Sequence, residues 1–237
     1  MKVLHISYSD IIGGAARATY RMHKALRSVG IGSKMIVNNS SSGDWTVLQP
    51  ESLKEKIFIK IRPFIANILK KTLKTKNTNL ISPSIFSSKW IKFINQSDYD
   101  IVHLHWVQRE MLSISDFTKI KKPLIWTLHD MWAFCGSEHY TDDYRWKEGY
   151  KVGNRPFFER GFDLNRWTWK RTKRHWRFPF QIVTPSNWLA NCVRNSFLLG
   201  NWDVKIIPYC LDLKNWKPFD KSKARELMGL PLEVPIL

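Results

Sequence analysis

The sequence predicts an α/β fold, a parallel sheet covered by helices on both faces, and three observations predict it. Short apolar runs recur along the chain, each separated from the next by helix-compatible sequence. The runs are apolar at consecutive positions, as strands buried on both faces must be. The chain also opens with strand, glycine turn and helix in direct succession: Val3-Leu4-His5-Ile6-Ser7-Tyr8 leads through Ser9-Asp10-Ile11-Ile12 into Gly13-Gly14-Ala15-Ala16-Arg17.

The elements follow in order. From Ala15 to Val29 the spacing of Ala18, Met22, Ala25, Leu26 and Val29 marks one helical face, with Arg17, Arg21, Lys24 and Arg27 largely elsewhere and Gly30 as the stop. Met35-Ile36-Val37 is a second strand, Asp100 to Trp106 a third and Pro123 to His129 a fourth. Phe180 to Thr184 and Val204 to Pro208 complete the series. In such sheets ligands bind beyond the carboxyl ends of the strands. That places Gly13-Gly14, His103 and His105, His129-Asp130 and Pro185-Ser186-Asn187 on one edge.

The Gly13-Gly14 turn suits phosphate, because a helix N-terminus presents unpaired N–H groups and adjacent glycines let an anion approach them. It is neither a P-loop, which needs Gly-Lys-Ser/Thr, nor a dinucleotide fingerprint, which needs three spaced glycines. Two readings therefore stand, a phosphate cradle and a tight βα turn. His5 and His23 read as satisfied structural histidines; for His129 the strand-end position and the adjacent Asp130 point to function.

Composition narrows the partners without choosing one. In 237 residues, 38 Lys+Arg against 20 Asp+Glu give a formal charge of +18, which attracts nucleic acid, an anionic membrane or a phosphorylated substrate. Cys135, Cys192 and Cys210 are widely separated and form no Cys-x-x-Cys pair, which argues against a disulfide framework and a structural zinc site and fits a reducing cytosol. The opening apolar run is too short for a secretory signal, and no window approaches the ~20 apolar residues that span a bilayer. A cytoplasmic location is expected, with peripheral attachment at a membrane face as an extension.

Two basic segments carry rival readings. Lys54 to Lys76 sets Ile57, Ile61, Phe64 or Ile65, Ile68 and Leu73 at near-helical spacing among eight basic residues, with Pro63 expected to kink the helix. It reads either as an interfacial helix for an anionic membrane or as an ordinary crossover helix. Arg155 to Phe180 interleaves Phe157, Phe158, Phe162, Trp167, Trp169, Trp176 and Phe178 with arginines and lysines. Such a stretch stacks bases in a nucleic-acid-binding module, or else points its aromatics inward and leaves the arginines solvated. No RNA-recognition signature accompanies it, and nucleic acid is not the expected partner.

Taken together, Gly13-Gly14-Ala15-Ala16-Arg17, Asp100 to Trp106, Pro123 to Trp132, Val183 to Ala190 and Ile206 to Asp212 resemble, in order, the N-terminal half of a family 4 glycosyltransferase. One motif departs: Tyr209-Cys210-Leu211-Asp212 stands where the family has Asn-Gly-Ile/Val-Asp. The resemblance implies a Rossmann-like domain, the acceptor side of a retaining GT-B enzyme, over residues 1–212. Residues 213–237 would then be a linker and the start of a second, missing domain that holds the nucleotide. It implies transfer from a nucleotide-sugar donor to a glycan, lipid-linked or small-molecule acceptor without a catalytic metal, in polysaccharide biosynthesis or a related route. A separate chain supplying the C-terminal domain is a further expected partner, and this chain alone is expected to be nearly inactive.

The resemblance also assigns roles. Gly13 and Gly14 would reach the donor diphosphate, His129 would lie beside the transferred sugar and Asp130 would set its tautomer. Arg17, His103, His105, Trp132 and Ser186 fall on the acceptor side. Plain exposure remains the rival reading for Arg17, and capping of the next helix for Ser186.

Overall fold

The computed structural model describes residues 1–236. The chain begins with β1 (Lys2–Ile6), α1 (Gly14–Ser28), β2 (Gly32–Ile36), β3 (Val47–Leu48) and α2 (Leu53–Lys70). It continues through β4 (Leu73–Lys74), α3 (Trp90–Gln96), β5 (Ile101–Leu104), a 3-10 turn (Ile114–Lys119), β6 (Leu124–Thr127) and α4 (Arg145–Glu148). Then come β7 (Arg160–Gly161), α5 (Leu164–His175), β8 (Gln181–Thr184), α6 (Asn187–Arg194), β9 (Val204–Ile206) and α7 (Lys221–Leu227).

Seven of these strands form one parallel sheet in the order β3-β2-β1-β5-β6-β8-β9, so the expected Rossmann-like α/β architecture is the one the chain adopts. From β1 the chain winds outward through β2 and β3, then returns to β5 on the other side of β1. The switch in winding direction opens a crevice above the carboxyl ends of β1 and β5, the place where such sheets bind ligands. The core packs Leu4, Ile6, Val102, Leu104, Trp126 and Ile182 of the strands against Leu189, Ala190 and Val193 of α6 and against Trp169 and Trp176.

The strands fall on their apolar runs with shifted ends: β5 and β6 are each three residues shorter than expected, and β2 starts at Gly32, three residues before Met35. Two short elements, β4 and β7, pair antiparallel outside the main sheet and had no sequence signal, being two residues each. On α1 the buried face is Ala16, Ala18, Thr19 and His23, while Ala25 and Val29, expected inside, are exposed. The face rotates because His23 is fully satisfied in the interior, with Ser33 Oγ at 2.7 Å and Thr46 Oγ1 at 2.8 Å.

Helix α2 runs through Pro63, and its amphipathic sense is the reverse of a core helix. Its inward positions include Arg62, which donates to Ser87 O at 2.7 Å and stacks on Phe58, and Ala66. Leu53, Ile57, Ile61, Phe64, Ile65 and Ile68 face outward. Leu73, expected to continue the stripe, instead leaves the helix and is buried in β4.

In the second basic segment Trp169 and Trp176 are buried, Trp169 against Tyr150 and Phe197, Trp176 against Phe117 and Trp126. Neither ring is free to stack on a base, which removes these two of the segment's aromatics from the stacking-platform reading. Not every arginine is solvated either: Arg171 donates to Pro83 O and Ser84 O at 2.8 and 2.9 Å. No residue from 205 to 236 is buried, and α7 lies in that stretch.

Helix α5 is held against the loop after β6 by a close backbone approach. A Cβ built at Gly136 would stand 2.5 Å from Asn165 O and 2.6 Å from Asn165 Cα, distances no side chain tolerates. Gly136→Ala must therefore push α5 away from the segment that carries the site residues. We expect it to cost about 2–3 kcal/mol, read as a lower urea midpoint at unchanged slope.

Candidate functional site

At the crevice the β1–α1 turn, the loops after β5 and β6, and the segment after β9 enclose a cavity of about 800 Å³. Its floor includes Gly13 and Gly14, its far wall His129, Asp130, Tyr140 and Tyr209, and Arg21 and Arg109 bring positive charge.

The glycine turn is shaped for an anion. Gly13 caps α1 with φ +96°, a conformation that excludes most side chains, and having no side chain it leaves the first-turn N–H groups uncapped. Asp10, the nearest acid in the turn, is directed away. Its carboxylate is buried and accepts from the N–H groups of Ile11, Ser41 and Ser42 and from Ser40 Oγ. Those hydrogen bonds outweigh burial and hold its pKa below the ordinary value. The partial positive charge of the helix N-terminus thus faces the cavity without a carboxylate from its own turn to neutralise it.

His129, at the end of β6, has both ring nitrogens engaged. Nδ1 is 2.6 Å from Tyr209 Oη and Nε2 is 3.3 Å from Nδ1 of His105. The His129 and Tyr209 rings stack at 5.4 Å, and Tyr140 Oη donates to His129 O. Burial brings the His129 pKa down to about 4 against the opposing effect of Asp130, so the ring is neutral at pH 7. Burial likewise lifts Tyr209 to about 12, which keeps its hydroxyl protonated.

Asp130 does not set the His129 tautomer, which corrects that expectation. Its carboxylate accepts from Trp106 Nε1 at 2.9 Å and Trp132 N at 3.0 Å, and lies 2.6 Å from His139 Nδ1. His139 in turn meets Ser82 Oγ at 2.9 Å. Asp130 is an anchor for the wall, and the partner that fixes His129 from behind is His105.

Four of the five residues assigned to the acceptor side are placed elsewhere by specific contacts. His103 and His105 lie within the sheet, because the ladder continues past them: His105 N still donates to Ile6 O. Both are buried, His103 bound to Thr127 Oγ1 at 2.8 Å and His105 to His5 and His129. Trp132 is a core residue whose indole donates to Ser82 O at 2.8 Å. Ser186 caps α6, accepting from Leu189 N, and does not line the cavity. Arg17, the fifth, is exposed and ties the turn together through Ile11 O at 3.2 Å without lining the cavity.

Arg21, Arg109, Tyr140 and Tyr209 line the cavity and are not among the site residues expected from the sequence. Arg109 carried a usable signal: it lies in the loop after β5, on the same strand-end rule that selected His129, and it holds a left-handed φ of +52°. Glu110 beside it also has φ +64° and fixes the loop by accepting from the N–H groups of Ser84, Ile85 and Phe86.

One group among the described residues has metal-ligand spacing, His5, His103 and His105, whose nitrogens lie within 4.8 Å of one another. They are sealed inside the sheet and bonded to each other and to Thr127, apart from the cavity. In chemical terms the cavity offers uncapped N–H dipoles, two arginines and an aromatic wall with neutral hydrogen-bonding groups, a set suited to an anionic group joined to a polar, ring-shaped one.

Comparison with known proteins places this geometry. No curated protein matches the sequence. Among solved structures, sucrose-phosphate synthase from Thermosynechococcus elongatus superposes with a TM-score of 0.50 at 11% identity, covering 99% of this chain and 54% of that one, a likeness of fold. The chain thus spans about half the length of that structure. The model of the family described as Glycosyltransferase Family 4 matches residues 12–215, from the glycine turn to beyond Tyr209. The chain belongs to glycosyltransferase family 4.

Proposed function

We propose that this chain forms the acceptor-side half of a glycosyltransferase that moves a sugar from a nucleotide-sugar donor to an acceptor hydroxyl. The observation that carries the reading is the uncapped N-terminus of α1 facing, across one cavity at the sheet's switch point, the His129–Tyr209 wall. As the bond between sugar and diphosphate breaks, negative charge grows on the departing phosphate oxygens. Fixed N–H dipoles at Gly14 and the next residues, with Arg21 and Arg109, are placed to meet that charge. His129 and Tyr209 hold the sugar's polar edge. A second domain, in the same polypeptide or another, would read the nucleotide.

Transfer of labelled sugar from a panel of nucleotide sugars to lipid and glycan acceptors tests the reading. The 237-residue chain is expected to turn over very slowly on its own. Robust turnover would put the complete site in this chain and overturn the half-site assignment.

The acceptor, on this reading, lies at an anionic membrane surface. On α2 the outward stripe Leu53, Ile57, Ile61, Phe64, Ile65 and Ile68 is flanked by Lys54, Lys56, Lys60 and Lys71, the pattern of a helix lying in the headgroup layer. No helix among the described residues is long and apolar enough to cross a membrane. Phe64→Asp should weaken binding to vesicles containing anionic lipid by at least about tenfold, since one buried phenyl ring contributes roughly 1.5–3 kcal/mol. Lys70→Glu/Lys71→Glu should weaken it further at low salt. Sedimentation of the protein with neutral and anionic vesicles reads both, and binding indifferent to lipid charge and to Phe64 removes the membrane proposal.

A further inference from the structure

Behind the cavity wall lies a line of imidazoles. His5 Nδ1 is 3.1 Å from His105 Nε2, His105 Nδ1 is 3.3 Å from His129 Nε2, and His129 Nδ1 is 2.6 Å from Tyr209 Oη. The line crosses three adjacent strands, starting on β1, passing the end of β5 and finishing at the end of β6. It begins in the sealed interior and ends at a hydroxyl that lines the cavity.

A neutral imidazole has one N–H and one lone pair, so each link can run in only two senses, and one link fixes the next. Burial lowers the pKa of all three histidines, which makes the neutral count the right one. If the protons point inward, Tyr209 donates to His129, His129 to His105 and His105 to His5. His5 then keeps an N–H on Nε2. That atom is buried and has no hydrogen-bond partner. If the protons point outward, the same atom carries only a lone pair. A buried donor left without an acceptor is the rarer and costlier of the two, because a lone pair loses less when unpaired than an N–H does.

We propose that the chain is ordered outward, with the proton on Nδ1 of His5, His105 and His129, so that Tyr209 accepts from His129 and presents its own O–H to the cavity as a donor. His5 and His105 are then positioning residues that act through His129. The donor would be met by an oxygen lone pair of a sugar or acceptor hydroxyl, a ligand assignment that rests on the transferase reading above. The order also fixes what His129 does not do: with both nitrogens occupied, its ring offers the cavity no free base.

Nitrogen-15 spectra of histidine-labelled protein at pH 7 test the order directly, because the two neutral tautomers give different one- and two-bond patterns. The expected result is Nδ1–H for His5, His105 and His129, the opposite of the tautomer free imidazole side chains favour. Nε2–H at His105 or His129 overturns the proposal. Tyr209→Phe should leave His129 in the Nδ1–H form, since His105 still donates to its other nitrogen, whereas His105→Phe should release His129 to a mixture. A His129 tautomer that follows Tyr209 and ignores His105 also overturns it. The wild-type spectrum decides the matter should the buried variant not fold. No transfer assay enters, so a chain with these tautomers and no binding of sugar nucleotides would remove the transferase reading and leave the proton order standing.

Discussion

Gly14→Asp is expected to weaken diphosphate binding roughly ten- to hundredfold while leaving the protein at least as stable as before. Gly14 opens α1, its φ is not in the left-handed region, and a Cβ there meets nothing within 4 Å, so the backbone accepts a side chain. An aspartate in the first turn suits the helix dipole by about 0.3–1 kcal/mol, and losing a glycine lowers the entropy of the unfolded chain. The same carboxylate stands where the anion must approach and replaces attraction with repulsion. Calorimetric titration with inorganic pyrophosphate, beside urea denaturation, reads both effects, with Gly14→Ala as the neutral control expected to bind within about threefold of the parent. Gly14→Asp binding as tightly as the parent would show that the anion does not use the helix N-terminus.

The second large effect is on acid stability. His5, His23, His103 and His105 are buried, and burial holds their pKa values down, to about 4 for His23 and His103 and well below the ordinary 6.5 for the other two. Each is neutral in the folded chain and takes a proton once unfolded. Their stabilisation is therefore complete above pH 6.5 and is lost as the pH falls toward 4, about 2 kcal/mol for each between pH 7 and pH 5. Glu110 and Glu138 act in the opposite sense. Burial raises both, Glu138 to about 7, so the folded state binds those protons first and gains stability as the pH falls through that range. Glu138 offsets about 2 kcal/mol of the loss, while His129, lowered to about 4, adds to it, so stability falls from pH 7 to pH 5. Urea midpoints at the two pH values measure it, and Glu138→Gln should make the drop larger. Equal midpoints would mean that the imidazole cluster is accessible to protons in the folded state.

The sheet was readable because its strands are continuous apolar runs bounded by polar sequence, and the site edge followed from the rule that ligands gather beyond strand ends. Gly13, Gly14 and His129 were found that way, and all three line the cavity. His103 and His105 were not separable from them by that rule, since a chain position cannot tell whether the ladder has ended or runs one residue further. Asp130 beside His129 invited a pairing that the fold gives to His139, nine residues on, because the loop turns its carboxylate back beneath Trp106. The line from His5 to Tyr209 depends on the lateral order of β1, β5 and β6, which periodicity within any one segment does not encode. Helix α2 shows the same limit: spacing reveals a stripe but not which side of the helix meets the core, and here Arg62 and Ala66 take the inside.

The central claim is that the cavity between the β1–α1 turn and the His129–Tyr209 wall handles a sugar diphosphate. Its most direct test is a titration of nitrogen-15-labelled protein with UDP-glucose, GDP-mannose and inorganic pyrophosphate, followed residue by residue. Saturable shifts at the amides of Gly13, Gly14 and Ala15, joined by His129 and Tyr209 for the sugar nucleotides alone, are the predicted result. Shifts confined to the lysines of α2, or none at millimolar ligand, would contradict it.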